Sequence, residues 1–371
     1  MKKNILIITG TLGGGGAEKV LETTLKFWDY TKYSVTLLVI CNHNNLHQIN
    51  NNVNIVYLNK IIPKSYFNTF LHFHKLSLFY FSMRINSIFK DEKFDSIISF
   101  SEGSALLCHS LMTNRTENNI TWVHCDMSRY MWFSFMYNSE AEIKGIYKKM
   151  SHIVCVSESA KYGFIQRFGN LRQLTFIYNL IDKNVIRTRS LETKIRKNKF
   201  TIVSCGRFVA IKRFDRVIEI AKLIKEWGYD AEFWIIGKGN ELEQKLKLLS
   251  VEYGLNEYVR FLGFKSNPYP YIKECDVLLV TSDSEAYPTI ICEALCLGKT
   301  IISTPVPGCI ELLKDGVGII SKFDNVSIAK DLEKLINSKE LMQQYECKAK
   351  EKGDKFLPSQ IMHRIYDLIE K

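Results

Sequence analysis

The stretch Ser282–Gly298, SDSEAYPTIICEALCLG, decides the fold of this chain. It follows the apolar run 276–280, DVLLV, which is typical of a buried parallel strand. A helical pattern then begins near Pro288, where the N–H that proline lacks would have had no helical partner. The sequence therefore predicts a strand, a turn and a helix whose positive end can bind a phosphate. The backbone N–H groups expected at this end belong to Ala286, Tyr287, Thr289 and Ile290.

Two glutamates bracket the predicted helix end. Glu285 lies just before the helix, and Glu293 lies inside it. A carboxylate accepts two hydrogen bonds at once, which suits the paired hydroxyls of a sugar. The alternative interpretation is two solvated glutamates on a surface helix. The spacing Glu285–(seven residues)–Glu293 resembles the E-x7-E signature of retaining family-4 glycosyltransferases.

A second group of candidate residues follows the predicted strand 200–205. Gly206 allows a ligand to approach the backbone closely, and Arg207 and Lys212 can neutralise a diphosphate in place of a metal ion. Surface cations without a ligand are the alternative. The block G-R-F-(four)-K is similar to the motif of the same family, in which Lys212 rather than Arg213 fits the pattern.

Two further segments, IIGKG at 235–239 and FLGFK at 261–265, match strand-end loops of this family. The resemblance implies that the backbone around Phe264 contacts the nucleobase of the donor. The segment Thr304–Gly308 is expected to be architectural.

A glycine-rich loop follows the first predicted strand, residues 4–8. Its sequence, GTLGGGGAE, lacks the GK[ST] of a phosphate-binding P-loop and is not a G-x-G-x-x-G dinucleotide motif. A flexible turn would also explain it. The resemblance implies that this loop faces the diphosphate and the acceptor, with Gly14 and Gly15 at the donor and Gly13 at the acceptor.

Polar residues follow two other predicted strands of the first half. Glu102 follows the strand 94–100, and His124 follows the strand 120–123. Open α/β sheets bind their ligands at such strand ends, although a satisfied structural histidine is the alternative. The resemblance implies that His124 contacts the transferred sugar near its 6-hydroxyl. We expect Glu102 and Asn179 to lie on the acceptor side.

The length of 371 residues predicts two domains rather than one. The remaining strands are predicted at 35–40, 53–58, 153–156, 175–178, 232–236, 258–262, 299–303 and 317–320. We expect an N-terminal domain at 1–183, a basic linker at 184–199 and a C-terminal domain at 200–355. The resemblance implies the GT-B fold, an α/β architecture in which two Rossmann-like, doubly wound domains face a central cleft. It also implies that a C-terminal helix, 356–371, crosses back to the first domain.

Composition restricts the class of protein. The sequence is 46% hydrophobic and 24% charged, and none of its apolar runs approaches the ~20 residues of a membrane span. Ten cysteines with no recognisable signal peptide indicate reduced thiols in the cytoplasm, and no spacing among them predicts a metal site. The net charge of +11 either reflects biased residue usage or attracts anionic lipids or a pyrophosphate-linked acceptor. No nucleic-acid-binding module is recognisable.

The segment 67–89, FNTFLHFHKLSLFYFSMRINSIF, is helical in pattern and rich in aromatic residues. Its charged residues exclude a membrane span. It is interpreted either as an amphipathic helix packed on the domain or as an interfacial helix at the level of lipid headgroups.

The resemblance, which extends from Gly13 to about Gly318, implies a metal-independent, retaining glycosyltransferase with no cofactor. The resemblance implies a nucleotide-sugar donor, most often UDP-linked, with Glu293 on the ribose and Glu285 on the sugar hydroxyls. Arg207 and Lys212 are then expected to stabilise the departing diphosphate. The alternatives are a sugar-nucleotide epimerase or hydrolase on the same fold, and a sugar-nucleotide-binding assembly partner without activity.

The expected setting is the assembly of a capsule, O-antigen or exopolysaccharide. The acceptor is expected to be a polyprenyl-pyrophosphate glycan. The enzyme would then lie in the cytoplasm, peripherally on the anionic inner face of the cell membrane.

Overall fold

The computed structural model describes residues 1–41, 49–59, 64–239 and 241–370, without the side chains of 64, 65, 67 and 68. The chain divides into two units. Unit 1 contains Met1–Leu180 and Pro358–Lys371, and unit 2 contains Ile181–Leu357. The end of the expected C-terminal helix, Lys371, and the side chain of Phe67 lie outside the described residues.

Unit 1 is built on a seven-stranded parallel sheet with the order β3-β2-β1-β4-β5-β6-β7. Its strands are β1 (Lys3–Thr9), β2 (Tyr33–Cys41), β3 (Val53–Asn59), β4 (Ser96–Ser99), β5 (Asn118–Val123), β6 (His152–Cys155) and β7 (Leu174–Phe176). The central strand β1 is buried on both faces, and Ile5 to Ile8 are at most 1% exposed. Its short apolar sequence forms a strand because helices cover both faces of a parallel sheet.

The helices before the second unit are α1 (Gly16–Lys26), α2 (Lys64–Leu71), α3 (His74–Phe89), α4 (Ser104–Ser110), α5 (Glu140–Lys148) and α6 (Glu158–Phe168). The expected aromatic helix 67–89 is therefore interrupted. Phe73 leaves the helical region with φ −91° and ψ 72°, and the Ser77 hydroxyl donates to the carbonyls of Phe70 and Phe73 at 3.0 and 3.1 Å. The hydroxyl thus adds a second donor to two carbonyls that also accept from the backbone N–H groups of Phe73 and Ser77 at 2.9 Å.

Unit 2 contains a six-stranded parallel sheet with the order β10-β9-β8-β11-β12-β13. Its strands are β8 (Phe200–Cys205), β9 (Ala231–Ile236), β10 (Val259–Gly263), β11 (Val277–Val280), β12 (Thr300–Ser303) and β13 (Ile319–Ile320). Its helices are α7 (Lys183–Arg189), α8 (Phe214–Glu226), α9 (Glu241–Glu252), α10 (Tyr269–Glu274), α11 (Thr289–Cys296), α12 (Pro307–Leu313), α13 (Asn325–Asn337) and α14 (Lys339–Asp354).

The segment expected as a linker, 184–199, belongs to unit 2 and begins inside helix α7. The Asp182 carboxylate caps this helix by accepting from the N–H groups of Asn184 and Val185. Arg187 donates to the Cys296 carbonyl at 2.9 Å and pairs with Asp354 at 2.7 Å. The basic residues of this segment therefore form specific contacts, which a composition-based linker prediction does not anticipate.

The sheet orders identify one switch point in each unit. The order in which successive strands are added to the sheet reverses between β1 and β4 in unit 1, and between β8 and β11 in unit 2. Connections leave a parallel sheet in opposite directions at such a point, which opens a crevice at the carboxyl ends of the two strands. The loops after these four strands are therefore the first places to look for a ligand site.

The last helix, α15 (Pro358–Glu370), packs on unit 1 although it follows unit 2 in the sequence. The Tyr366 ring stacks on Tyr33 with 5.2 Å between centroids, and Asn118 donates to the Leu368 carbonyl at 2.8 Å. Glu370 accepts from the Tyr33 hydroxyl at 2.6 Å and pairs with Lys3 at 2.7 Å. The buried side chains of α15, among them Ile365 and Leu368, therefore belong to the core of unit 1.

We predict that Ile365→Ala lowers the stability of unit 1 by about 2–5 kcal/mol, because Ile365 is 3% exposed and its removal leaves a cavity. The control is His363→Ala on the same helix, whose side chain is 80% exposed and should leave the melting temperature unchanged. Thermal unfolding followed by circular dichroism measures both. Equal melting temperatures for the two variants would show that α15 contributes nothing to the core.

Candidate functional site

The switch point of unit 2 brings two polar loops together. The loops that follow β8 and β11 lie side by side because the two strands are paired in the sheet. The Asp283 N–H donates to the Ile211 carbonyl at 2.9 Å, and the Thr281 hydroxyl donates to the Lys212 carbonyl at 3.1 Å. These cross-loop hydrogen bonds fix Lys212 next to the stretch that contains Glu285.

Lys212 and Glu285 form an ion pair at this switch point. The Lys212 ammonium lies 2.5 Å from Glu285 Oε1, which also accepts from the Ser282 hydroxyl at 2.7 Å. Both contacts fall on one carboxylate oxygen, so Oε2 is left without a hydrogen bond to any described residue. The ammonium carries three protons and uses one here. Both groups therefore keep hydrogen-bonding capacity for a ligand.

Arg207 stands in the same loop after β8 and is exposed. Its guanidinium makes no hydrogen bond or ion pair with the part of the chain that the structure describes. By contrast Arg213 holds Asp215 at 2.7 Å, and Arg216 holds Asp283 at 2.7 Å. Of these three arginines, Arg207 alone is available to a new anion. Arg213 is paired with acidic neighbours, which agrees with its poor fit to the motif.

Helix α11 begins at Thr289. The sequence pattern had placed its start near Pro288, one residue earlier. Pro288 is the N-cap, with φ −67° and ψ 110°, and its carbonyl accepts from Ile291 at 3.1 Å. The expectation for Ala286 and Tyr287 is corrected accordingly, because they are buried in the turn that precedes the helix. The helix-end N–H groups without an intrahelical acceptor belong to its first residues, Thr289 and Ile290.

Glu293 lies on α11 and is 4% exposed. A carboxylate buried to this degree needs polar contacts around it. Glu293 is therefore not a solvated surface glutamate. Glu285 is also shielded, since its side chain is 10% exposed. The two glutamates of the signature therefore lie inside unit 2 rather than on a solvated helix face.

Two residues that the sequence interpretation treated as architecture hold the Glu285 loop in place. The Thr304 hydroxyl donates to the Ser282 carbonyl at 2.6 Å, and the Gly308 N–H donates to the Glu285 carbonyl at 3.1 Å. A Cβ at Gly308 would lie 2.5 Å from the carbonyl oxygens of Glu285 and Ala286, so only glycine fits. The pairing of β11 with β12 is the signal that could have identified this support.

The loops after β9 and β10 extend the same edge of the sheet. Gly206 donates to the Ile236 carbonyl at 2.9 Å, and Gly237 donates to the Gly263 carbonyl at 3.1 Å. Phe264 follows Gly263 with 54% of its surface exposed, and the Lys238 ammonium lies 4.6 Å from the centroid of its ring. An exposed aromatic ring at the end of this row provides a stacking surface for a planar group.

In unit 1 the corresponding edge contains the glycine loop. Gly13 and Gly14 are exposed, and Gly14 has φ 82°, a conformation that side chains disfavour. Gly15 is the N-cap of the eleven-residue helix α1 and has no side chain that could cap the N–H groups there. The loop therefore leaves backbone donors at a helix start, next to the switch point between β1 and β4.

Glu102 lies in the turn after β4, as expected, and contacts the loop after β5. It is 3% exposed, and its Oε1 accepts from the backbone N–H groups of His124 and Cys125 at 2.5 and 2.8 Å. Burial raises the pKa of Glu102, and these hydrogen bonds act in the opposite direction. The side chain therefore supports the strand end that contains His124, and an acceptor cannot use the same oxygen.

His124 is positioned by this contact and keeps an open hydrogen-bonding position. Its Nε2 atom is buried and makes no hydrogen bond to a residue within the described ranges. Burial lowers the pKa of His124 to about 4, while a hydrogen bond with the Phe100 backbone raises it slightly. The imidazole is therefore neutral near pH 7. An orphaned buried nitrogen of this kind is suited to bind one hydroxyl of a ligand.

Asn179 is not brought to this group of residues. It is 7% exposed and follows β7, the edge strand, which β6 separates from β5.

The residues that the structure describes contain no group of three or more His, Cys, Asp or Glu placed to hold a metal ion.

Comparison with known proteins accounts for both units. The model of Glycosyltransferase Family 4 matches residues 14–185, and the model of Glycosyl transferases group 1 matches residues 186–352. An uncharacterized glycosyltransferase of Haemophilus influenzae is 23% identical over 94% of this chain and 95% of its own.

A second relative, from Campylobacter jejuni, is 27% identical over 93% of both chains. It is the N-acetylgalactosamine-N,N'-diacetylbacillosaminyl-diphospho-undecaprenol 4-alpha-N-acetylgalactosaminyltransferase.

Solved structures show the same fold. The Anabaena protein HepE in complex with UDP and glucose superposes with a TM-score of 0.79 over 99% of both chains at 17% identity. A mutant of Staphylococcus aureus TarM, in complex with UDP and other ligands, superposes with a TM-score of 0.77 over 100% of both chains at 13% identity. The predicted α/β architecture of GT-B type, with two Rossmann-like domains, is confirmed. The chain belongs to the glycosyltransferases, with a family 4 N-terminal half and a group 1 C-terminal half.

Proposed function

We propose that this enzyme is a metal-independent, retaining glycosyltransferase that transfers a hexose or N-acetylhexosamine from a UDP-linked donor to a lipid-linked glycan. The observation that carries the proposal is that the exposed, unpaired Arg207 lies in the same loop as Lys212, which pairs with Glu285 at the switch point of unit 2. A cation with no protein partner next to a carboxylate with a free oxygen suits a ligand that has both phosphates and hydroxyls.

The diphosphate of the donor would bind to cations and backbone groups of unit 2. Arg207 offers a planar fork of N–H donors, and the two remaining ammonium protons of Lys212 offer a second contact. The N–H groups of Thr289 and Ile290 add donors at a positive helix end. These groups stabilise the negative charge that develops on the leaving phosphate, which is the task a divalent ion performs in other enzymes.

The nucleoside and the sugar would bind on either side of the phosphates. Glu293 is proposed to accept from the ribose hydroxyls, and the backbone at Phe264 to bind the base. Glu285 Oε2 is proposed to accept from the 3- and 4-hydroxyls of the sugar. His124 Nε2 is proposed to bind the 6-hydroxyl, with Gly14 and Gly15 near the phosphates.

Retention of configuration is proposed to proceed by attack on the front face of the sugar. The bond from the anomeric carbon to the phosphate oxygen breaks, and an oxocarbenium-like centre forms. The acceptor hydroxyl attacks the same face, and its proton passes to the departing phosphate oxygen. The enzyme therefore needs charge stabilisation at the phosphate rather than a carboxylate nucleophile, the group that a retaining glycosidase requires.

Relatives and structural neighbours support the proposed donor and acceptor classes. The HepE and TarM structures contain UDP, and the Campylobacter relative is named for a diphospho-undecaprenol acceptor. Curated relatives also include a capsular polysaccharide and a lipopolysaccharide core glycosyltransferase. We therefore propose a role in surface polysaccharide assembly at the inner face of the membrane. No helix among the described residues combines the length and apolarity needed to cross a bilayer.

The test is UDP release from a panel of UDP-sugars, with and without a diphospho-polyprenyl glycan acceptor, in the presence of a chelator. We expect release that depends on the acceptor and persists without divalent ions. Equal release with and without acceptor would favour the hydrolase alternative, and conversion of the donor sugar without release would favour the epimerase. Absence of any donor turnover across the panel would leave the inactive assembly partner as the better description.

In the same assay we predict that Arg207→Ala and Lys212→Ala each reduce turnover by about 100-fold or more, as loss of one stabiliser of developing charge does. The matched control is Lys245→Ala, which removes an exposed cation of the same unit on helix α9. It should retain full activity. Near-wild-type turnover in both site variants would refute the assignment of the phosphate contacts.

Glu102 provides a separate prediction for unit 1. Glu102→Gln keeps an oxygen that can accept from the His124 and Cys125 N–H groups, and we expect turnover within a few-fold of wild type. Glu102→Leu leaves these two donors unsatisfied at a cost of about 1–3 kcal/mol each. We expect it to reduce kcat by about tenfold or more while the affinity for UDP changes little. Comparable kcat values for the Gln and Leu variants would exclude a positioning role.

A further inference from the structure

Asp283 lies in the loop after β11, two residues before Glu285, and each of its carboxylate oxygens contacts an arginine. Oδ2 accepts from Arg213 Nη1 at 3.2 Å, and Oδ1 lies 2.7 Å from Arg216 Nη1. The Asp283 N–H also donates to the Ile211 carbonyl at 2.9 Å. The backbone and the side chain of Asp283 are therefore both attached to the loop after β8 and to the first turn of α8.

Arg213 adopts a backbone conformation that glycine normally provides. It is the N-cap of α8 with φ 51° and ψ 49°, in the left-handed region that side chains disfavour. Its guanidinium donates to both oxygens of Asp215 at 2.7 to 3.0 Å, in addition to Asp283. Its carbonyl accepts from the Thr281 hydroxyl at 2.9 Å. Strained residues that their surroundings hold in place in this way cluster at functional sites.

Arg216 is the buried member of this group. It is 9% exposed on α8, and its Nη1 donates to the Thr281 carbonyl at 2.9 Å. Its guanidinium carbon lies 5.5 Å from the centroid of the Phe323 ring. A buried guanidinium needs a counter-charge, which Asp283 supplies. We refer to Arg213, Arg216 and Asp283 as the arginine clamp.

The arginine clamp holds the stretch of chain that leads to Glu285. Ser282, the residue before Asp283, is 2% exposed, and its hydroxyl donates to Glu285 Oε1 at 2.7 Å. A single residue, Ser284, separates Asp283 from Glu285. A shift of the backbone at Asp283 would therefore move the hydroxyl that holds one oxygen of Glu285, and the direction of the other oxygen would change with it.

Charge is balanced within this network. Arg213 and Arg216 are paired with Asp215 and Asp283, so these four side chains carry no net charge when ionised. Arg207, in the loop after β8, has no such partner among the described residues. The two arginines of the clamp therefore fix the loop, whereas a new anion would find Arg207 available.

We propose that Asp283 is a positioning residue, which acts through Arg213 and Arg216 to orient the Glu285 carboxylate and so determines which hexose the enzyme accepts. This deepens the proposed function, on which it rests for the contact of Glu285 with the 3- and 4-hydroxyls of the sugar. A carboxylate held in one orientation distinguishes an axial from an equatorial 4-hydroxyl, because a hydrogen bond weakens steeply when it is misdirected. Loss of the clamp therefore costs selectivity between donors that differ only at C4.

The test compares Asp283→Asn and Arg213→Gly with wild type in acceptor-dependent UDP release. The donors are UDP-glucose, UDP-galactose and their N-acetylated counterparts. We expect wild type to prefer one C4 epimer, and each variant to lower kcat on that donor about tenfold, since misplacement at a reacting centre is costly. The ratio of kcat/KM between the epimers should fall by a similar factor. The affinity for UDP, measured by calorimetry, should stay unchanged, because the proposed contacts of UDP lie elsewhere.

Arg213→Gly is expected to fold, because glycine adopts φ 51° without strain. The matched control is Asp230→Asn, which removes an acid paired with Lys199 at 2.8 Å, just before β9 and hence at the amino end of that strand. It should keep wild-type turnover and selectivity. In the double variant Arg213→Gly/Asp283→Asn the two losses should be less than multiplicative, because both substitutions break the same contact.

Unchanged selectivity in both variants would overturn the proposal, as would a wild type that does not distinguish the C4 epimers. So would multiplicative losses, or an equal loss on all donors together with weaker binding of UDP, which indicates general damage to unit 2. The proposed function fails separately: wild type and Asp230→Asn would then both lack acceptor-dependent release with every donor. Calorimetry still tests the clamp in that case. Wild type should bind one C4 epimer of the UDP-sugar more tightly than the other, and Asp283→Asn should remove the difference.

Discussion

The Lys212–Glu285 ion pair is the interaction on which the chemistry of unit 2 depends. A shielded carboxylate costs free energy unless a cation pairs with it, and Lys212 supplies that cation across the β8–β11 switch point. The pair in turn fixes both loops, and Thr304 and Gly308 support the Glu285 side from the next strand. Arg207, in the same loop as Lys212, has no protein partner in the described structure, and the ion pair keeps open hydrogen-bonding positions. The proposed diphosphate site would use Arg207 and the open positions of this pair.

In unit 1 a buried carboxylate likewise holds a strand-end loop in place, although its partners are backbone N–H groups rather than a cation. The buried Glu102 carboxylate binds the backbone at His124 and Cys125, so the histidine ring is held by its main chain rather than by a charge partner. Burial lowers the pKa of His124 to about 4, so in the proposed role the neutral ring would bind a hydroxyl without adding positive charge. The proposed phosphate contacts of unit 2 are cationic, whereas the proposed sugar contact of unit 1, His124, is neutral. That division matches the charge that develops when a glycosidic phosphate bond breaks.

The sequence was most informative where local pattern decides structure. Apolar runs such as 5–8 and 277–280 predicted the strands because a parallel sheet buries both faces of each strand. The motif also set Arg213 apart, and the structure shows this residue bound to Asp215 and Asp283. It could not predict the buried contact of Glu102 with the His124 loop, the helix break at Phe73 or the attachment of 184–199 to unit 2. Each of these depends on a hydrogen bond to a residue distant in sequence or on a local conformation that several residues could adopt.

The central claim is that cations of the chain, rather than a divalent ion, bind the nucleoside diphosphate. Titration calorimetry of UDP into the full-length protein, with excess chelator throughout, tests it most directly when wild type is compared with Arg207→Ala. We predict that wild type binds UDP without divalent ions and that the variant binds about tenfold or more weakly, the loss expected for one charge-assisted hydrogen bond. Binding that appears only when magnesium is restored, or an unchanged affinity in the variant, would contradict the claim.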